Sequence, residues 1–197
     1  KKDLRFKGFF RTMIFLPCTT SLVAYAIIFR SLFANDGLVN YVLVNLGILD
    51  KPYNFLTQPF AAKMVIILAL LWRWTGYYMV FFLSGLQNIE YSVYEAAKID
   101  GASAIQTFFK ITVPLLKPTI LLTAIMSTNG TLQLFDESIN LTDGGPANAS
   151  ISMSHYIYNL CFKYVPNFGY AAAMSFFILL LVAVLAFIQM RVGDKRD

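Results

Sequence analysis

Four polar side chains recur at intervals of three and four residues in a largely apolar stretch: Asn129, Gln133, Asp136 and Glu137. This spacing predicts that they share roughly one face of a helix. Amides and carboxylates pair well with hydroxyl groups, so the face would suit a ligand such as a sugar. The two amides could instead hydrogen-bond to neighbouring helices, and the two carboxylates could lie near a membrane surface.

An earlier apolar stretch contains aromatic residues that could stack on sugar rings: Trp72, Trp74, Tyr77 and Tyr78. Trp and Tyr are also common anchors at the membrane surface, so both roles stay open. Arg73 lies among these residues, and in one interpretation its guanidinium group pairs with the carboxylate of Asp136 or Glu137.

Several kinds of chemistry find no support in the residues. No G-x-x-x-x-G-K-[ST] pattern occurs, so the chain has no P-loop for ATP. Cys18 and Cys161 are isolated, and His155 is the only histidine, so we predict no metal site. We expect His155 to have a packing or surface role. With no defensible Ser/His/Asp or Cys/His arrangement, the chain is not expected to be an enzyme.

The composition is that of a membrane protein. Of the 197 residues, 57% are apolar and 14% are charged, whereas soluble domains carry about 25% charged residues. Mean hydropathy is +0.60. A spanning helix needs about 20 mainly apolar residues. Four stretches qualify, which predicts an all-α polytopic transmembrane bundle with spans at 12–33, 60–86, 119–139 and 168–190.

The basic residues predict how the four spans are oriented. Of the 16 Lys and Arg, five lie within 1–11, three within 87–118 and three within 191–197. With four spans these three segments are on the same side. Because basic loops favour the cytoplasm, we predict cytoplasmic N- and C-termini and a cytoplasmic 87–118 loop. The 34–59 connection between the first two spans is then the predicted outer connection.

The 87–118 loop has the local signals of two short helices. Ser92 and Glu95 stand at capping-box spacing, and Gly101 is suited to end the first helix in a left-handed conformation. Ser103 and Gln106 form a second capping box, and prolines at 114 and 118 are expected to end the second helix. Helices this short are not stable alone in water. They must therefore pack against their own membrane domain or against a cytoplasmic partner.

The same loop carries a sequence motif. Glu95-Ala96-Ala97, then Gly101, then Ile111-x-Val-Pro114 resembles the EAA motif of bacterial ABC importer permeases, the MetI-like family, with Val113 in place of the usual leucine. The segments 35–40, 141–146 and 168–173 are similar to the sugar-importing branch that includes the maltose permease subunits. Members usually have about six spans, which implies that one or two N-terminal spans are absent from this sequence.

The resemblance implies a role in transport at the bacterial inner membrane. The loop would be a coupling helix that docks onto a separate ATPase. Its expected coupling residues are Glu95, Ala96, Ala97, Asp100, Gly101, Ile111 and Pro114. The chain itself would bind no cofactor, while the partner ATPase dimer would use ATP and Mg²⁺. The other implied partners are a second related permease and an extracytoplasmic solute-binding protein.

The implied cargo is a sugar or oligosaccharide. In the sugar branch, the span before the Gly-Gly-Pro loop contributes to the substrate cavity, which fits Asn129 and Gln133. Two alternatives remain at this stage. The cargo could be another small polar solute, or the chain could be a secondary transporter driven by an ion gradient and independent of Glu95 and Gly101.

Overall fold

The structure, a computed structural model, describes residues 6–193, and every regular element in this range is helical. The predicted all-α class is confirmed. Lys1, Lys2, Arg5, Lys195 and Arg196, which contributed to the predicted orientation, lie outside the described residues. The α-helices are α1 Lys7–Thr19, α2 Leu22–Leu32, α3 Leu38–Asn45, α4 Pro59–Gln87, α5 Tyr91–Ile99, α6 Ala104–Thr107, α7 Val113–Leu115, α8 Lys117–Leu132, α9 Asp136–Thr142, α10 Met153–Tyr158 and α11 Phe168–Gly193. Two π-helical turns, Phe108–Thr112 and Asn159–Lys163, and one 3₁₀ turn, Pro146–Asn148, complete the described elements.

Two helices are long and apolar enough to cross a membrane, and there are up to four spans if each of two bent helix pairs counts as one. α4 has 29 residues and α11 has 26. At about 1.5 Å per residue, each exceeds the hydrocarbon thickness of about 30 Å. Large apolar side chains of both helices are exposed, including Leu71, Phe176 and Phe177. Such surfaces suit contact with lipid.

The stretch predicted as one span at 12–33 is divided into α1 and α2, whose axes differ by 100°. The division follows Pro17, which lies in the last turn of α1. Thr20 and Ser21 then have extended conformations, with ψ angles of 148° and 137°. Proline lacks the amide needed for a helical hydrogen bond, which favours a break nearby.

The stretch predicted at 119–139 also differs from a single helix. α8 follows the preceding helical segment with a bend of 65° and ends at Leu132, and α9 begins at Asp136. Gly130 weakens the end of α8. Asp136 and Glu137 lie in the first turn of α9, where the helix dipole favours acidic side chains. The prediction of one helical face shared by all four polar residues is therefore wrong.

The chain divides into two compact units. Among the described residues, the first comprises 6–76 and 131–180, and its core contains Tyr25, Phe29, Val65, Ala69 and Leu141. In this unit α2 packs against α9. The second unit comprises the described residues 77–130 and 181–193 and holds the loop that carries the EAA-like motif.

Candidate functional site

The first helix of the loop ends in a hydrogen-bonded motif that favours glycine. The Ala102 amide donates to the Ala97 carbonyl at 2.9 Å, and the Gly101 amide donates to the Lys98 carbonyl at 3.2 Å. These two bonds define a Schellman motif, in which the residue after the cap is left-handed. Gly101 has a φ of +75°, so its predicted role as the helix stop is confirmed. The motif gives a physical reason for the fixed spacing between Ala97 and Gly101.

The start of α5 differs from the sequence prediction. Its N-cap is Glu90, whose side chain makes no capping hydrogen bond to the backbone. Ser92 lies inside the first turn, and its hydroxyl donates to the Glu90 carboxylate at 3.2 Å. Because Glu90 takes both the cap position and the Ser92 hydroxyl, the predicted capping box between Ser92 and Glu95 does not form. Glu95 remains exposed on the surface of the helix.

The second capping box is confirmed. The Gln106 amide donates to Ser103 Oγ at 3.3 Å, and the Ser103 amide donates to Gln106 Oε1 at 2.9 Å. Helical structure continues through the π turn and α7 and ends at Leu115, between Pro114 and Pro118, as predicted. A contact of 3.3 Å between Tyr94 Oη and Thr112 Oγ1 joins α5 to this second segment.

The loop presents an apolar outer surface. Ile99 is 85% exposed, Ile105 72% and Phe109 65%. Ala97 instead faces inward and is buried, while Glu95, Ala96 and Asp100 are exposed, as is Pro114; Ile111 is half-buried. The Tyr94–Thr112 contact joins the two short helical segments, and their exposed isoleucines form an apolar patch of the kind found at docking surfaces.

The candidate cavity residues fall into two groups. In the first unit, Trp72 stacks on Tyr25 with ring centres 6.5 Å apart, and 42% of its surface remains exposed. Asp136 and Glu137 also belong to this unit, and Glu137 is buried, close enough to Tyr25 to interact electrostatically. Gln133 is exposed there, just beyond α8.

In the second unit, Tyr77 makes edge contacts with Tyr78 and Phe81, with ring centres 5.6 and 5.1 Å apart. Both tyrosines are half-buried, and Asn129 is exposed on α8. Exposed amides and partly exposed rings are the groups that a hydroxylated ligand needs.

Arg73 does not pair with Asp136 or Glu137, the alternative that the sequence offered. Its Nη1 donates to the Thr20 carbonyl at 3.1 Å, and its guanidinium carbon lies 4.9 Å from the centre of the Tyr25 ring. Within residues 6–193, neither Asp136 nor Glu137 is within ion-pair distance of it. The break between α1 and α2 offers Arg73 a backbone carbonyl that the sequence does not reveal.

The structure also brings together Ser138, His155 and Asp143, which sequence reasoning missed. His155 Nδ1 is 2.8 Å from Ser138 Oγ, and His155 Nε2 is 3.9 Å from the Asp143 carboxylate. Lys163 bonds to the same carboxylate at 3.0 Å. The three residues form no recognisable motif in the sequence, because 17 residues separate Ser138 from His155. Burial of His155 confirms its predicted packing role.

This arrangement does not activate the serine. Ser138 Oγ donates its one proton to the Ser150 carbonyl at 2.8 Å and accepts the Ser152 amide at 3.2 Å. His155 must therefore carry its proton on Nδ1 and donate it to Ser138. Ser138 and His155 are both 0% exposed. A hydroxyl that has no base to take its proton and no access to a substrate is structural.

Acidification is expected to loosen the loop at residues 143–155, which contains His155 and lies outside the predicted spans. Burial is the main cause that lowers the pKa of His155 below its ordinary value, with Lys163 adding to the effect and Asp143 opposing it. The unfolded loop therefore binds more protons than the folded one below about pH 6.5, and stability falls by up to about 1.4 kcal/mol per pH unit. The intrinsic rate of amide hydrogen exchange slows as the pH falls from 7.5 to 5. After division by this intrinsic rate, exchange at residues 144–155 should be faster at pH 5 than at pH 7.5.

His155→Asn is the matched control for this experiment, because its amide keeps a donor near Ser138 but does not titrate. The additional acceleration should be absent from this variant. An equal acceleration in both proteins would contradict the assignment to His155.

These features define a class of protein: an all-helical membrane protein with a loop of two short, hydrogen-bonded helices that carries an EAA-like motif. The family model for the binding-protein-dependent transport system inner membrane component matches residues 1–196. The chain belongs to this family, which confirms the resemblance noted in the sequence. It is a multi-pass membrane component.

Curated relatives support the sugar branch. The lactose transport system permease protein LacF of Rhizobium radiobacter is 56% identical over 195 residues, which are 98% of this chain and 65% of LacF. The arabinooligosaccharides permease AraP of Bacillus subtilis is 32% identical, over 98% of this chain and 62% of AraP. The trehalose/maltose permease MalF of Thermococcus litoralis is 33% identical, over 98% of this chain and 64% of MalF. The chain thus spans less than two thirds of each of these relatives.

Solved structures confirm the fold. A bacterial ABC transporter that imports the acidic polysaccharide alginate matches with a TM-score of 0.85 and 25% identity, over 97% of this chain and 68% of that chain. An alginate ABC transporter in complex with an alginate pentasaccharide-bound periplasmic protein matches with a TM-score of 0.77 and 26% identity, over 98% of this chain and 66% of that chain.

Proposed function

We propose that the chain is a permease subunit of an ATP-binding-cassette importer and forms part of the translocation pathway for a sugar or oligosaccharide. The observation that carries the proposal is the exposed coupling loop, whose Schellman motif and capping box hold two short helices together. The named relatives transport lactose, arabinooligosaccharides and trehalose or maltose, which supports the cargo class. Another small polar solute is the alternative cargo.

In this proposal the loop docks onto a cytoplasmic ATPase dimer. The exposed side chains of Ile99 and Ile105 would enter an apolar groove of the ATPase. Because Tyr94 and Thr112 join the two helices, closure of the ATPase would move them as one body. ATP and Mg²⁺ would be bound by the partner, and this chain would bind no cofactor.

The rest of the complex is proposed on the same basis. A second related permease would complete the substrate cavity, and an extracytoplasmic binding protein would deliver the solute; a periplasmic protein is present in one alginate transporter structure. Both termini would be cytoplasmic. In the first unit, the proposed contacts to hydroxyl groups are the exposed amide of Gln133 and the carboxylates of Asp136 and Glu137, with Trp72 for ring stacking. In the second unit, they are the exposed amide of Asn129, with Tyr77 and Tyr78 for ring stacking.

Ile105→Glu tests the docking surface. A buried carboxylate without a partner costs several kcal/mol, so the variant should lose the ATPase on co-purification and lose solute-stimulated ATP hydrolysis in proteoliposomes. Ile48→Glu is the matched control, since Ile48 is 63% exposed but lies far from the loop in sequence, in the predicted outer connection. It should retain the ATPase.

Uptake into the same proteoliposomes distinguishes an ATP-driven importer from a secondary transporter. Uptake that needs no ATPase, follows an ion gradient and survives Ile105→Glu would overturn the proposal in favour of a secondary transporter.

A further inference from the structure

The break between α1 and α2 exposes backbone groups within a stretch predicted to span the membrane. Thr20 and Ser21 are extended, so the regular helical bonds of this turn are lost. The hydrocarbon core of a bilayer contains no water that could bond to such backbone groups. A break can persist there only if the protein supplies each carbonyl with a donor.

Two carbonyls at the end of α1 are paired locally. Thr19 Oγ1 donates to the Leu16 carbonyl at 2.8 Å. The Pro17 carbonyl accepts from the Thr20 hydroxyl at 2.7 Å and from the Thr20 amide at 3.3 Å. These bonds form within a few residues and hold the last turn of α1 together.

The Thr20 carbonyl is paired by a different helix. Its donor is Arg73 Nη1 on α4, 53 residues later in the chain, at 3.1 Å. Arg73 is only 7% exposed. Its guanidinium group lies over the rings of Tyr25 and Trp74, with its carbon 4.9 and 5.7 Å from their centres. A planar cation fits this site between two rings and a carbonyl better than an ammonium group does.

The position of Arg73 relative to the break is set by a close approach of α1 and α4. A Cβ on Gly76 would stand 2.6 Å from the Ile14 carbonyl carbon and 2.7 Å from the Phe15 Cα. Gly76 lies one helical turn after Arg73, and Ile14 lies before the break. The backbones of α1 and α4 are therefore in contact one turn from Arg73 along α4.

We propose that Arg73 is a positioning residue that stabilises the break at Thr20 and thereby fixes the direction of α1 relative to α2. It acts through the backbone carbonyl and not by contact with the transported solute. This role is separate from the proposed function, because the bond forms within this chain and needs no solute or ATPase.

The native Cys18 provides a local probe, because it is partly exposed in the last turn of α1. The rate of its modification by N-ethylmaleimide is measured in the complete, membrane-inserted permease with Cys161→Ser. Arg73→Met should raise this rate by about tenfold, since a buried carbonyl then lacks its partner and the turn opens more often. Arg73→Gln, which keeps a neutral donor, should give an intermediate rate.

Two controls separate positioning from general stability. Arg30→Met removes an exposed arginine from α2 and should leave the Cys18 rate unchanged. In a Cys18→Ser background, Arg73→Met should leave the modification rate of Cys161 unchanged. A parental Cys18 rate in Arg73→Met would overturn the inference, and so would an equal acceleration at Cys161.

A transport measurement adds a second readout, which rests on the proposed function. Arg73→Gln should lower the maximal rate of ATP-dependent uptake about tenfold, in line with the altered helix direction, with the solute concentration at half-maximal rate unchanged. A rise in that concentration at constant maximal rate would overturn the positioning role in favour of solute contact. If labelling behaves as expected but uptake needs no ATPase, the proposed function fails and the inference about Arg73 stands.

Discussion

Replacement of Gly101 by valine is expected to abolish solute-stimulated ATP hydrolysis while the chain still inserts into the membrane. Gly101 has a φ of +75°, a conformation that costs a side chain about 1–2 kcal/mol and a β-branched one more. Among the described residues, no atom lies within 4 Å of where its Cβ would stand. The penalty is therefore conformational and not steric.

The loss of activity follows from what the glycine holds in place. Relief of the strain would break the bonds that the amides of Gly101 and Ala102 donate to the end of α5. A helix of nine residues has little other stability to oppose this change. The loop would then lose the fixed shape that docking needs, although the membrane helices are untouched.

Two variants test this explanation. Gly101→Asn should retain most of the activity, because asparagine tolerates the left-handed region. Gly47→Val introduces the same residue at a φ of +69° and also in open space, but in the predicted outer connection, and should remain coupled. Full coupling in Gly101→Val, or an equal loss in Gly47→Val, would contradict a specific role for the loop.

Gly76→Ala is expected to reduce strongly the yield of folded permease. The new methyl group would stand 2.6 Å from the Ile14 carbonyl carbon and 2.7 Å from the Phe15 Cα. Both are backbone atoms, so neither can move aside as the end of a flexible side chain can. Overpacking of this kind costs about 1–3 kcal/mol or more, and small residues are what allow membrane helices to approach so closely.

The measurement is the fraction of monodisperse protein after detergent extraction, together with its apparent melting temperature. Gly130→Ala is the matched control, because no atom of the described residues lies within 4 Å of its Cβ position. It should extract as the parent does, or slightly better, given the higher helix propensity of alanine. Parental yield and melting in Gly76→Ala would show that α1 and α4 are not in backbone contact.

The two predicted capping boxes in the 87–118 loop show when a local sequence pattern is enough to predict a helix start. Ser103 and Gln106 form the capping box that their spacing predicts, because both partners lie within one turn. The equivalent pair, Ser92 and Glu95, does not, because the neighbouring Glu90 takes the cap position and the Ser92 hydroxyl. Equivalent local patterns therefore diverge when a nearby residue competes for one of the groups.

The amino-acid sequence by itself determined the class of this protein, the all-α fold and the stop at Gly101. Each depends on the length of an apolar run or on hydrogen bonds that close within a few residues. Only the tertiary structure decided that Arg73 binds the Thr20 carbonyl and that His155 is buried against Ser138. Both pairs form between residues far apart in the chain, and the Thr20 carbonyl becomes available to Arg73 only because the backbone bends there. No spacing in the sequence encodes a carbonyl left free by the path of the chain.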